Sequence, residues 1–177
     1  MKKDNSRTST RRLTLSAMLA ALGVVLLVIG SLFDVLSLTA AALATVPLYI
    51  ALREMGARRA TLVYFVTALL AVILFPKSDA ALSYALLLGL YTLIKFPLER
   101  VHRYAVLPLK LLFFNATFTA IELIGIFLFS IPPLVWWLYA VTYLVANVVF
   151  LLYDNVLDRL IILYEAYLRA KIAHFFK

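Results

Sequence analysis

The chain has no cysteine, which excludes disulfides, thiolate metal sites, thiol nucleophiles and palmitoylation. Glycine is scarce, with five in 177 residues. No G-x-x-x-x-G-K-[ST] loop is present, so ATP hydrolysis by the P-loop route is excluded. There is no H-E-x-x-H sequence, and the two histidines, His102 and His174, lie far apart in sequence. A zinc site belonging to this chain is therefore not expected. No G-x-S-x-G elbow and no pair of aspartates within an apolar run point to a hydrolase. Charge is thin as well, at 15% of residues, where globular domains carry about 25%. These absences lead to the expectation of a non-catalytic protein with no cofactor and no metal.

What the chain does have is apolar surface. It is 65% hydrophobic, with a mean hydropathy of +1.00, more than a soluble domain of this length could bury. The net charge of +8 does not indicate nucleic acid, because the basic residues cluster in short segments between apolar runs. That placement is how a membrane protein sets its orientation. The amino end, MKKDNSRTSTRR before LTLSAMLAALGVVLLVIG, has the basic front of a signal peptide. It lacks a convincing small-residue cleavage site, so an uncleaved first helix is expected.

Apolar runs fall at about 13–33, 35–52, 60–76, 80–96, 108–130 and 133–153, each near the ~20 residues that cross a bilayer as a helix. Long continuous runs without alternation specify helices rather than a barrel. The expected fold is all-α: a polytopic membrane protein with a six-helix transmembrane bundle and a cytoplasmic C-terminal helical extension. With six crossings, 16 of the 17 Lys and Arg residues fall on one side and Lys77 alone on the other. The positive-inside rule then makes both termini cytoplasmic in a cell membrane.

Three segments follow from this layout. Residues 1–12 form a basic cytoplasmic stretch, 13–153 the transmembrane domain and 154–177 an amphipathic helical tail. In the tail Leu157, Leu160, Ile161, Tyr164, Leu168, Ile172 and Phe175 recur at helical spacing, suited to a membrane surface or a partner. The basic segment 95-KFPLERVHRYAVLPLK-110, bracketed by Pro97 and Pro108, reads as a cytoplasmic loop. No internal repeat is evident.

One carboxylate, Glu122, interrupts the run 114-FNATFTAIELIGIF-127. Placing it inside a bilayer costs at least about 2.5–3.5 kcal/mol. Asn115, Thr119 and Glu122 share one helix face, and the sixth run carries Trp136, Tyr139, Tyr143 and Asn147 in a comparable line. If the two helices are antiparallel with Asn115 opposite Asn147, Glu122 falls opposite Ala140, between the hydroxyls of Tyr139 and Tyr143. Three roles stay open: a helix-to-helix hydrogen bond, a contact to a bound solute, or proton coupling with a raised pKa. Ser83 and Tyr84 in the fourth run are weaker pocket candidates.

In 12-RLTLSAMLAALGVVL-26, Ala17 and Ala21 form an A-x-x-x-A pattern, extended by Ala20 and Gly23. Small residues so spaced admit close helix approach, either inside the chain's own bundle or with a partner. Arg12, Leu13 and Ala17 to Leu22 resemble the opening of the substrate-binding S components of energy-coupling factor (ECF) transporters, which are similar in size. The resemblance implies six helices with cytoplasmic termini, and contact of the Ala17 and Ala21 face with a transmembrane coupling protein of an ABC-type ATPase complex. It also implies an outward pocket for a small vitamin or metal ion, here near Glu122. The chain departs from that pattern at the short first outer connection 30-GSLFDVLSL-38. It also departs at 53-REMGARRA-60, which stands where a Gly-Pro-x-x-Gly-like turn is often found. A small six-helix bacterial membrane family of another kind would share the same layout.

The functional expectation is a membrane-embedded binding subunit of an ATP-driven importer. Its solute contacts would be Glu122, Thr119, Tyr139, Tyr143, Ser83 and Tyr84, and its partner contacts Ala17 and Ala21. A ligand-free membrane scaffold and a small proton-coupled carrier turning on Glu122 are the alternatives.

Overall fold

The computed structural model describes residues 2–100, 103–130 and 132–168; the side chains of 2–9, 34, 103, 167 and 168 are outside it. Every regular element among the described residues is helical. We number six long helices: α1 (Lys2–Leu32), α2 (Ser37–Met55), α3 (Ala57–Leu74), α4 (Asp79–Glu99), α5 (Arg103–Phe129) and α6 (Trp136–Leu163). All six contain stretches long and apolar enough to cross a membrane, which is compatible with a multi-pass membrane protein.

The helix ends have local causes. Gly56 closes α2 and opens α3 with φ 86 and ψ 166, a backbone region that side chains disfavour. Ser78 precedes α4 and accepts a long hydrogen bond from the Ala81 amide at 3.5 Å. Beyond α5, Ser130 takes φ 56, and Pro132 and Pro133 cannot continue a helix there. The first described residues of α1 are already helical, so no break separates the basic stretch from the apolar run.

Two boundaries differ from expectation. Pro97 and Pro108 do not bracket a loop: α4 continues through Pro97 to Glu99, and α5 begins at Arg103, before Pro108. Each proline lies within two turns of a helix end, where the missing amide removes at most one ladder bond. At the other end α6 passes Asp154 without a break and finishes in a π-helical turn, Tyr164–Leu168. His102, His174, Ile172 and Phe175 lie outside the described residues.

The chain forms two compact units. In the first, reaching Lys95, α1 packs on α2 and α3, and the start of α4 on all three. Small residues set these approaches. Ala41, Ala44, Ala51, Ala60, Ala80 and Ala81 are fully buried. A Cβ on Gly30 would stand 2.5 Å from the Ala40 Cβ, and one on Gly23 would meet Thr67 at 3.0 Å. Hydroxyls support the same contacts: Ser31 and Ser78 are 2.7 Å apart, and Thr67 donates to the Ala20 carbonyl at 3.4 Å.

Midway along α4 the ladder widens into a π-helical segment, Ser83–Leu88. The Tyr64 hydroxyl inserts there and donates to the Ala85 carbonyl, a recognised cause of such departures. Gly89 makes room: a Cβ there would lie 2.7 Å from the Tyr84 carbonyl and 3.0 Å from the Tyr64 ring.

The second unit, Phe96–Leu168, holds the end of α4 with α5 and α6. Among the described residues, specific polar pairs join its helices at intervals, and aromatic rings fill between them. Phe114 stacks on Phe150 with centroids 4.6 Å apart, and Phe118 meets Tyr143 edge-on at 5.1 Å.

Candidate functional site

The α5–α6 register follows from three contacts. Lys110 meets Asp154 at 2.7 Å, Asn115 and Asn147 exchange amide hydrogen bonds at 3.1 and 3.0 Å, and Thr119 meets Tyr143 at 2.7 Å. Numbers rise on one helix as they fall on the other, so the helices are antiparallel, and the Asn115–Asn147 pairing is the one the spacing suggested. One turn beyond Thr119, Glu122 comes level with Ala140 on the same face.

Glu122 does not make the hydrogen bonds that a helix-joining role requires. Among the described residues it has neither a hydrogen bond nor an ion pair. The tyrosines are engaged elsewhere. Thr119 donates its single proton to the Asn115 carbonyl at 2.7 Å, so Tyr143 is the donor in its contact with Thr119. The Tyr139 hydroxyl accepts from the Leu134 amide at 3.3 Å. Joining α5 to α6 falls instead to the Lys110–Asp154 ion pair, the asparagine pair and the Thr119–Tyr143 bond.

The surroundings of Glu122 are therefore rich in acceptors. Its carboxyl oxygens and the remaining lone pairs of Tyr143 can accept hydrogen bonds, and Phe118, one turn before Glu122 and edge-on to Tyr143, offers π-density. The Tyr139 proton is the one hydroxyl donor of this face not spent on an observed bond. No Lys, Arg or His occurs between Lys110 and Arg159, so α5 and α6 supply no cation at this level. Glu122, Tyr139 and Tyr143 are half-buried, and Thr119 and Ala140 are exposed.

Ser83 and Tyr84 belong to the first unit, inside the π-helical segment. Tyr84 is fully buried with its ring tilted against Tyr64 at 6.1 Å, and Ser83 is half-buried. Both stand apart in sequence and in unit from the Glu122 group.

Along α1 the small residues divide between two faces. Ala20, Gly23, Leu27 and Gly30 point into the first unit and are buried. Ala17 and Ala21 are exposed, beside Leu13, Met18, Leu22 and Val25. Ala20 and Gly23 thus do not extend the exposed A-x-x-x-A surface; they lie on the adjoining buried stripe and carry the internal packing.

Two polar clusters are absent from the sequence expectations. Lys110 belongs to the segment expected as a loop, but it lies in α5 and its ammonium is 2.7 Å from both Glu99 and Asp154. Carboxylate oxygens of Glu99, Asp154 and Asp158 all lie within 4.8 Å of one another. Such a trio could ligate a cation; here the Lys110 ammonium bonds two of its members. The Asn115–Asn147 register, extended about a turn and a half along α5 and two turns along α6, brings the long Lys110 side chain within reach of Asp154, so spacing held the signal. Lys95, also assigned to the loop, is 1% exposed, its Nζ 5.7 Å from the centre of the Tyr91 ring. With Tyr84, Tyr91 and Lys95 at intervals of seven and four, α4 has a buried polar stripe that helical spacing could have shown.

Comparison with known proteins returns no matching family model, no similar curated protein and no similar solved structure.

Proposed function

We propose that this protein is a multi-pass membrane subunit that binds a small solute and passes it to a separate ATP-driven module, as the resemblance to ECF S components implies. Both termini would be cytoplasmic, as the distribution of basic residues suggests. The observation that carries the binding role is the carboxylate of Glu122, which has no partner among the described residues. It sits in the apolar helix segment Tyr104–Phe129, beside Asn115 and Thr119, whose side chains are bonded to α6. An ionisable residue in that setting is costly, and such residues mark ligand or ion sites. Thr119, Tyr139 and Tyr143 would line the site with it. Ser83 and Tyr84, in the other unit, remain weaker candidates.

The exposed Ala17 and Ala21 support the partner contact, since the internal packing of α1 uses Ala20, Gly23 and Gly30 instead. The same face also favours a second reading, a membrane scaffold that engages a partner through α1 and needs no ligand.

A mild-detergent pull-down from native membranes, read by mass spectrometry, tests the proposal. A coupling protein and ABC-type ATPases are expected with the parent. They should be lost with Ala17→Leu/Ala21→Leu, a variant that keeps its own thermal stability because both positions are exposed. Recovery of no ATPase would contradict the importer reading and leave the scaffold.

A further inference from the structure

From the balance of donors and acceptors around Glu122, we infer that this site takes an organic ammonium cation carrying an apolar body. The inference rests on the binding-subunit reading and narrows it to a substrate class.

Four observations lead there. The first is charge: Glu122 has no partner among the described residues, and no Lys, Arg or His lies between Lys110 and Arg159 to neutralise it. An anionic solute would meet a carboxyl group with no cation of α5 or α6 beside it. The second is hydrogen-bond polarity. Thr119 has spent its proton on the Asn115 carbonyl and Tyr143 has spent its own on Thr119, so what faces a ligand is mainly acceptor. A donor-bearing head group fits that arrangement.

The third is the aromatic content. Phe118 lies one turn before Glu122 on α5 and packs edge-on against Tyr143. On α6, Trp136 and Tyr143 stand one turn to either side of Ala140, the residue level with Glu122, and Tyr139 is its chain neighbour; Trp136 is 83% exposed. Ring faces attract ammonium groups and also accept the apolar body of an organic cation. The fourth is the carboxylate count. A divalent metal requires several oxygen ligands, and Glu122 is the one carboxylate of the segment 111–153. Metal ions are therefore a poorer match than an organic cation.

The test uses the full-length protein in zwitterionic nanodiscs, with empty nanodiscs correcting for partition into lipid. Three probes share a ring and differ in head group: phenethylammonium, phenethyl alcohol and phenylacetate. Binding is read by saturation-transfer NMR for the parent and for Glu122→Gln, with melting curves verifying that the variant folds. The expected result is at least tenfold tighter binding of phenethylammonium than of either other probe, with that preference lost in Glu122→Gln. Equal binding of the three, no binding of the ammonium, or a preference that survives Glu122→Gln would each overturn the inference. The pull-down separates the two proposals. Retrieved ATPases without a cation preference sink the substrate class alone. A cation preference without ATPases sinks the importer and keeps the site.

Discussion

The two units hold their helices together by different means. In the first, backbones approach closely because Gly23, Gly30 and a run of fully buried alanines leave room, and contact area does the work. In the second, α5 and α6 carry bulkier residues and are joined by discrete polar pairs: Lys110 with Asp154, Asn115 with Asn147, Thr119 with Tyr143. Small-residue packing has no single decisive contact, whereas a ladder of polar pairs exposes any member that lacks its counterpart. Glu122 is that member.

The comparison can be broken most severely at Lys110. Its replacement by Met leaves Glu99 and Asp154 without the ammonium that bonds them. Removing one partner of a buried ion pair costs about 3–5 kcal/mol. The Glu99 side chain is 34% exposed and the Asp154 side chain 13%, so water moderates the loss toward the lower end of that range. Chemical denaturation in detergent should show it, with Lys110→Arg retaining most of the stability. A Lys110→Met protein as stable as the parent would mean that the ion pairs contribute nothing to the second unit.

In the first unit the corresponding lesion is Gly30→Ala. The added methyl would fall 2.5 Å from the Ala40 Cβ, an atom fixed to its backbone, so α1 and α2 must separate. Overpacking of this kind costs about 1–3 kcal/mol. A lowered melting temperature is expected, whereas Gly56→Ala would act through backbone strain alone, because nothing lies within 4 Å of a Cβ there. An unchanged melt for Gly30→Ala would show that small residues do not set the α1–α2 approach.

How far the sequence disclosed this arrangement varied with the physics of each feature. The six helices were legible because long apolar runs separated by Pro, Gly or charge leave few alternatives. The α5–α6 register was legible as well, since Asn115 and Asn147 are the amides within the apolar runs of two facing helices and each satisfies the other. The partners of Lys95 and Lys110 were not read. A lysine near the end of an apolar run looks like a loop residue until the helix is seen to continue past proline, as α4 does at Pro97. The division of the α1 small residues was hidden for another reason. Adjacent positions such as Ala20 and Ala21 face about 100° apart, and composition alone does not say which stripe meets the neighbouring helices. That Glu122 lacks a bond to Tyr139 or Tyr143 depended on where Thr119 and Leu134 placed their own donors, which spacing does not encode.

The most direct measurement sets two single variants side by side by thermal denaturation in the same detergent, Asn147→Leu and Glu122→Leu. Asn147→Leu leaves the Asn115 amide without its partner and should lose about 1–2 kcal/mol. Glu122→Leu removes a carboxylate that bonds nothing among the described residues, so stability is expected to hold or rise. If Glu122→Leu instead falls as far as Asn147→Leu, the carboxylate is part of what joins α5 to α6, and the claim that it is held in reserve for a ligand is contradicted.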